Sequence, residues 1–230
     1  MASPPLTVFD GKLYLTWTGV DQHLNVMSSS DGKNFENKVT LGERSLVGGP
    51  ALAAYGGKLY LTWTGTDRRI NVIFSSDGKN FRDRVTLDET AIDSPGLAEF
   101  EGRLYLAWAQ SLGGDLNVST SLDGVNFGSK VTQPERSYWF LLNPVKGEIF
   151  RTGPALSPFS EKLYLAWTST DKRLNLIPSV DGTDFANTQK IILEEGSERA
   201  PASAEFNERL YLAWRGNDSH LNVLRLTDLQ

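Results

Sequence analysis

Apolar and polar residues alternate along five nearly identical segments of this chain, and a period of two is the pattern of a β-strand. The segments read KLYLTWTG from Lys12 and again from Lys58, RLYLAWAQ from Arg103, KLYLAWTS from Lys162 and RLYLAWRG from Arg209. They recur at intervals of 46, 45, 59 and 47 residues. A period of about 45 residues is typical of one structural unit in a repeat protein. A unit of this size cannot bury its apolar faces alone, so consecutive units must stack on one another.

Each unit carries three further strand signals besides this segment. In the second unit, the apolar runs PALAAY from Pro50 and INVIFS from Ile70 lie on either side of it, and RVTL from Arg84 follows. The Asp77-Gly78 dipeptide before this last run suits a type I′ hairpin, because both central residues of that turn need positive φ. Four short antiparallel strands per unit, without helical periodicity, predict an all-β fold, a five-bladed β-propeller with four-stranded blades.

The last unit is shorter than the others. The chain ends with LNVLRLTDLQ, which lacks the Asp-Gly hairpin and the fourth strand, so we expect three strands in the last blade. We expect a single domain over residues 1–230, with one lengthened connector between the third and fourth blades. The predicted blades cover approximately residues 4–45, 46–90, 91–133, 150–196 and 197–230, and the insert covers residues 138–150.

The repeated tryptophans share strand parity with two leucines in every unit, as Trp17 does with Leu13 and Leu15. Each could stack on a sugar ring, but both faces of a propeller blade are covered by neighbouring blades. We therefore expect these large side chains to form the core between blades and to contribute strongly to stability.

The turn between the third and fourth strands carries a repeated polar motif. It reads SSSDGKNF from Ser28, SSDGKNF from Ser75, SLDGVNF from Ser121 and SVDGTDF from Ser179. The motif resembles the Asp-box of sialidase-like β-propellers, Ser-x-Asp-x-Gly-x-x-aromatic, except that Gly follows Asp directly and the aromatic residue is Phe. The resemblance implies a structural turn, held by Ser and Asp side chains on backbone amides and remote from any active site. The size and blade number are also similar to those of five-bladed propeller lectins.

Composition excludes several classes of partner and site. The net charge of −5 argues against a nucleic-acid or anionic-membrane partner, which would require a basic face. Cysteine is absent, so no disulfide or thiolate metal site exists. No apolar stretch is long enough to span a bilayer. The acidic residues and the two histidines lack metal-ligand spacing, so we expect no metal and no cofactor. The composition does not indicate a compartment.

The turn between the second and third strands carries the main candidate binding residues, which are acidic and amide side chains. They are Asp21, Asn25, Asp67, Asn71, Asp171, Asn175, Asp218 and Asn222. Such side chains can hold sugar hydroxyls through directional hydrogen bonds, and loops on a rigid scaffold commonly carry binding residues. The alternative, which we favour, is an Asx turn whose side chains satisfy backbone groups.

The connectors between blades add charged and aromatic candidates, predicted at the same rim. The charged ones are Glu43, Arg44, Glu135 and Arg136, which either contact a ligand or form weak surface pairs. The insert adds Tyr138 and Trp139 within an apolar segment that the other connectors lack. This insert could line a pocket, dock a partner protein or fold back as a packed loop.

Together these features favour a non-catalytic, lectin-like protein that binds glycans at repeated sites on one rim. Two alternatives remain open: a protein-interaction scaffold that uses the insert at 138–150, and a glycoside hydrolase of sialidase-like type. A glycosidase needs a pair of carboxyl groups near the axis. Glu99 and Glu205 are the acids that interrupt the apolar pattern of the innermost strands.

Overall fold

The structure is a computed structural model, and it describes residues 5–45, 48–137, 152–185 and 189–226. These residues form five antiparallel sheets, in which the strands follow one another in chain order from the innermost to the outermost strand. The prediction of an all-β, five-bladed propeller is confirmed. The residues of the insert, including Tyr138 and Trp139, lie outside the described part of the chain.

The strands have the following bounds. Blade 1 contains β1 (Leu6–Phe9), β2 (Lys12–Thr18), β3 (His23–Ser29) and β4 (Glu36–Arg44). Blade 2 contains β5 (Ala51–Tyr55), β6 (Lys58–Thr64), β7 (Arg69–Ser75) and β8 (Arg82–Thr90). Blade 3 contains β9 (Gly96–Phe100), β10 (Arg103–Ala109), β11 (Asp115–Ser121) and β12 (Gly128–Arg136). Blade 4 contains β13 (Ala155–Phe159), β14 (Lys162–Thr168), β15 (Arg173–Ser179) and β16 (Ile191–Gly196). Blade 5 contains β17 (Ala202–Glu205), β18 (Leu210–Arg215) and β19 (Leu221–Arg225), so its predicted three strands are confirmed.

The Asp-Gly hairpins between the third and fourth strands are held by side chains. In blade 1, the Asp31 carboxylate accepts hydrogen bonds from the Lys33 and Asn34 amides, both at 2.8 Å, and from the Ser29 hydroxyl at 2.9 Å. Gly32 follows with φ of 71°, a left-handed conformation that costs glycine little. These hydrogen bonds favour the ionised form and hold the pKa of Asp31 well below its ordinary value. The same arrangement recurs around Asp77 and Asp123.

Neighbouring blades pack through one repeated interface. The Leu-Leu-Trp side of one blade's second strand packs on the tyrosine side of the preceding blade. Between blades 2 and 3, for example, Leu104, Leu106 and Trp108 pack against Tyr60 and Val72. Equivalent clusters join blades 1 and 2, blades 3 and 4, and blades 4 and 5. The core therefore lies between the sheets, as predicted for the tryptophans, of which Trp63, Trp108 and Trp167 are almost completely buried.

The two terminal blades differ from this pattern. Among the described residues, no fifth hydrophobic cluster joins blade 5 to blade 1. Trp17 is only partly buried, although the octapeptide that contains it is identical in sequence to the one that contains the buried Trp63. Within the described ranges, no helix has the length and apolar character needed to cross a membrane.

Candidate functional site

The asparagines that follow the turn between the second and third strands lie in the third strands and bond within their own blades, and those of blades 1 to 4 are buried. The side-chain amide of Asn71 donates to the Arg69 carbonyl at 3.0 Å, and its oxygen accepts from the Thr86 hydroxyl at 2.7 Å. The corresponding bonds recur at Asn25 and Asn117. Asn175 donates in the same way to the carbonyl of Arg173. Asn222 lies in the three-stranded blade 5, and among the described residues its side chain makes one longer bond, of 3.3 Å, to the His220 carbonyl.

The aspartates of the same turn are exposed and form Asx turns. Asp21 and Asp67 accept hydrogen bonds from the amides two residues later, at 3.1 and 3.0 Å. Asp171 and Asp218 do the same, and each also accepts from a side chain, the Ser169 hydroxyl and the His220 ring respectively. Those side-chain bonds are the main cause of a lowered pKa at both carboxyl groups. Ligand binding at this rim stays a prediction.

The connector glutamates join the outer strands of neighbouring blades. Glu43 of β4 pairs with Arg84 of β8 at 2.9 Å, and Glu135 of β12 pairs with Lys190 at 2.6 Å. Glu89 and Lys130 make the equivalent pair between blades 2 and 3. Two connector arginines have other roles: Arg136 pairs with Asp115 at 2.7 Å, and the carbonyl of Arg44 accepts the indole N–H of Trp63 at 3.1 Å.

An open cleft of about 800 Å³ lies at the opposite rim, where the first strands of blades 1, 2 and 3 end. Its lining includes two carboxyl side chains, Asp10 and Glu99, and two hydroxyl side chains, Tyr55 and Ser76. The innermost strands β1, β5 and β9 run side by side, so these residues from three blades converge beside the propeller axis. A concave site with a few convergent polar groups is the usual form of a small-molecule site.

The side chains of this cleft are positioned by local hydrogen bonds. Glu99 is partly buried, and one of its carboxylate oxygens accepts the Gly102 amide at 2.9 Å. The Tyr55 hydroxyl lies 2.6 Å from the Leu122 carbonyl and 3.1 Å from that of Gly102, which fixes the ring at the cleft wall. Asp10 is exposed in the turn after β1, with φ of 48°. The cleft therefore presents one fixed carboxyl group, one solvated carboxyl group and an aromatic wall.

Glu205, the other acid identified in an inner strand, does not reach this cleft. It lies at the end of β17 in blade 5, exposed, and accepts the Glu208 amide at 3.3 Å. Within the described residues, no group of three or more His, Asp or Glu side chains could hold a metal ion.

The chain resembles known proteins in fold and not in sequence. No protein-family model and no curated protein sequence matches it. Solved structures do match. A GH43 α-L-arabinofuranosidase from Clostridium thermocellum shares 16% identity at a TM-score of 0.63, over 98% of this chain and 89% of that chain. A GH43 endo-arabinanase from Bacillus licheniformis shares 17% identity at a TM-score of 0.58, over 98% and 93%. A GH32 β-fructofuranosidase from Bombyx mori shares 15% identity at a TM-score of 0.59, over 93% of this chain and 54% of that chain.

These matches correct the interpretation that the sequence favours. The matching structures named above are glycoside hydrolases, so the interpretation as a non-catalytic, lectin-like protein is wrong, and so is the expectation that the chain is not an enzyme. The glycoside hydrolase, one of the alternatives left open, agrees better with the comparison. At these identities the likeness itself establishes the propeller fold.

The sequence predicted candidate residues at the rim formed by the turns between the second and third strands. The cleft lies on the opposite rim and was not predicted. Asp10 occupies a turn position that is Gly56 in blade 2 and Glu101 in blade 3, so nothing in the repeat distinguishes it. Glu99 was the available signal, because it breaks the apolar pattern of an inner strand. Its partners in the cleft come from other blades and are visible only in the fold.

Proposed function

We propose that this chain is a glycoside hydrolase whose active site is the cleft at the ends of β1, β5 and β9. The observation that carries the proposal is the convergence of Asp10 and Glu99 from two blades on one cleft beside the axis. Glycoside hydrolases use such a pair of carboxyl groups, one as general acid and one as base or nucleophile. The fold likeness to GH43 and GH32 enzymes supports the same class of reaction.

The two carboxyl groups have distinct surroundings, which suits two roles. Glu99 accepts the Gly102 amide with one oxygen, and its other oxygen has no hydrogen bond among the described residues; it would protonate the glycosidic oxygen as the bond to the leaving group breaks. Asp10 is exposed to solvent, and it would take a proton from the water that attacks the anomeric carbon. Tyr55 would supply an apolar wall for the sugar ring.

The matching structures support a proposal for the substrate class, because they include enzymes named for arabinofuranosides and arabinan and one complexed with xylose. We therefore propose pentose-containing glycans as substrates. The polar motifs around Asp31 and its counterparts support a further proposal, that the hairpins are Asp-box-type turns. Their role here would be structural, since the described ones bond their own backbone amides. Ser76 of the blade 2 hairpin also lines the cleft, so this proposal departs from the remoteness that the Asp-box resemblance implies.

The decisive experiment is hydrolysis of aryl α-L-arabinofuranosides and β-D-xylosides, with release of reducing sugar from arabinan and xylan as a second readout. We expect turnover by the wild-type chain and a loss of roughly 10²-fold or more in kcat for Glu99→Gln and for Asp10→Asn. Glu205→Gln is the matched control, because Glu205 occupies the same strand position and accepts a turn amide in the same way, yet lies outside the cleft.

Two results would contradict the proposal. One is the absence of hydrolysis of any of these substrates by folded wild-type protein. The other is hydrolysis that survives in a Glu99→Gln, Asp10→Asn double variant. Circular dichroism and thermal unfolding of each variant would show that a loss of activity is not a loss of fold.

A further inference from the structure

Blade 5 ends in an apolar face that no described part of the chain covers. In the other four blades, the residue equivalent to Leu221 is completely buried; these residues are Leu24, Ile70, Leu116 and Leu174. Leu221 itself is 77% exposed, and Val223, two residues further along β19, is 61% exposed. We call the surface formed by Tyr211, Ala213, Leu221 and Val223 the blade 5 face.

Blade 1 carries the opposite half of the same interface, also uncovered. Leu6 of β1 is 55% exposed, whereas its equivalents Leu52, Leu97 and Leu156 are buried. Leu13, Leu15 and Trp17 are all partly exposed, although the corresponding Leu-Leu-Trp residues of blades 2 to 5 are buried. We call the surface formed by Leu6, Leu13, Leu15 and Trp17 the blade 1 face.

The hairpins show independently that the described residues of blade 5 do not pack on blade 1. A Cβ added at Gly78, Gly124 or Gly182 would lie within 2.4 Å of the tyrosine of the preceding blade, which shows how closely that tyrosine covers each hairpin. Gly32, the equivalent glycine of blade 1, has no atom within 4 Å of such a Cβ. The tyrosine that would cover it is Tyr211 of blade 5, which is partly exposed, whereas its counterparts Tyr14, Tyr60 and Tyr105 are buried.

We propose that the blade 5 face of one copy of this chain docks on the blade 1 face of a second copy. Both faces have the composition of the four interfaces that the structure contains, so the contact continues an established packing mode. Both are exposed at the same time in one molecule, so neither covers the other. A contact between two different faces is heterologous, and it leads to a closed ring or to an open-ended chain of copies.

Uncovered leucine, valine and tryptophan side chains provide the driving force for this association. Burial of apolar surface is the main favourable contribution to association between proteins. Large contiguous apolar patches are uncommon on monomeric proteins and mark interaction sites. Each face carries apolar residues at the same strand positions as the faces that pack together between neighbouring blades.

The test is the mass of the full chain in solution, measured by sedimentation velocity and light scattering over a wide concentration range. We expect a species of two or more copies. Val223→Asp and Leu6→Asp should each weaken association at least tenfold, because an unpaired carboxylate would be buried in the interface. Both residues are exposed in the single copy, so these substitutions should spare its fold. Val180→Asp is the control, since Val180 is similarly exposed in a hairpin outside both faces.

Mixing the two variants distinguishes this contact from any other. Leu6→Asp retains an intact blade 5 face and Val223→Asp an intact blade 1 face, so an equimolar mixture should form a one-to-one complex that neither variant forms alone. A wild-type chain that is monomeric at every concentration would overturn the proposal, because the two faces would then close within one molecule or await another partner. Association that survives in either variant, or a mixture that stays monomeric, would overturn it as well.

Discussion

The hydroxyl of Tyr60 in blade 2 donates a hydrogen bond to the backbone carbonyl of Asp123 in the hairpin of blade 3, at 3.2 Å. Tyr105 makes the same bond to Asp181 of blade 4, at 3.0 Å. Burial raises the pKa of both phenols, so they remain protonated donors at all ordinary pH values. The repeated tyrosine thus links blade 2 to the hairpin of blade 3, and blade 3 to the hairpin of blade 4.

Removing this hydroxyl should cost about the free energy of one partly buried hydrogen bond. We expect Tyr60→Phe and Tyr105→Phe each to lower the free energy of unfolding by about 1 kcal/mol. The matched control is Tyr164→Phe, because Tyr164 is buried but blade 5 has no such hairpin to accept its proton. Urea unfolding followed by tryptophan fluorescence would measure all three, and equal losses would disprove the bond's contribution.

Close packing of the same tyrosine on the hairpin makes one glycine far more sensitive than its twin. A Cβ at Gly124 would lie 2.3 Å from the Tyr60 ring, whereas a Cβ at Gly32 would meet nothing within 4 Å. Both glycines have φ near 70°. Gly32→Ala should therefore cost only the backbone strain, about 1 kcal/mol, and Gly124→Ala about 2–4 kcal/mol. Comparable losses of stability in the two variants would show that the ring yields to the methyl group.

The buried asparagines of the second turn should behave as structural residues. Asn71→Ala removes the acceptor of the Thr86 hydroxyl and one of the two donors to the Arg69 carbonyl, which keeps the Gly65 amide, so we expect a loss of about 1–3 kcal/mol in stability. Asn222→Ala removes a single long bond at a less buried position and should cost less than about 1 kcal/mol. Thermal unfolding of the two variants would check this order, and the reverse order would contradict it.

Protonation of the hairpin carboxylates should weaken the fold in acid. Amide hydrogen bonds from Asp184 and Thr183 lower the pKa of Asp181 to about 2, from an ordinary value of 3.8. A pKa that is lower in the folded state contributes stability above the ordinary value, and that contribution is lost as the pH falls toward the folded-state value.

The variant Asp181→Asn tests this linkage. It should be less stable than the wild type near neutral pH, and the difference should shrink as the pH falls from about 4 to about 2. Asp88→Asn is the control, because the Asp88 side chain is 98% exposed. Urea unfolding at a series of pH values would supply the data. A difference that stays constant across this window would rule out the carboxylate as its source.

The sequence predicted the strands, their antiparallel order and the short last blade, because each is decided by residues close together in the chain. The signals are all local: the alternation of apolar and polar residues, the Asp-Gly turns, and the lack of a fourth-strand segment after Leu226. Exposure at the terminal blades is not local. Trp17 and Trp63 belong to identical octapeptides, yet one is partly exposed and the other is buried, since only the second has a preceding blade packed on it.

The candidate site was less predictable for the same reason. Asn25 and Asp21 form a conspicuous repeated polar set, but repetition reflects the backbone bonds that every blade must satisfy. The cleft depends on Asp10, Tyr55 and Glu99, which are far apart in sequence and belong to three different blades. Only the juxtaposition of β1, β5 and β9 brings them together.

Blade 5 lacks a fourth strand within the described part of the chain, so the free energy of local unfolding should be lower there than in the middle blades. Each middle blade is held by a neighbour on both sides, whereas blades 1 and 5 each have one neighbour among the described residues of a single copy, and of these two only blade 5 has three strands. In arrays of stacked units, stability is approximately the sum of contributions from each unit and from its contacts with neighbours. The backbone amides of β17, β18 and β19 should therefore exchange with deuterated water sooner than those of β9, β10 and β11. Local unfolding would begin in the carboxyl-terminal blade, and proteases would therefore cleave the chain there first.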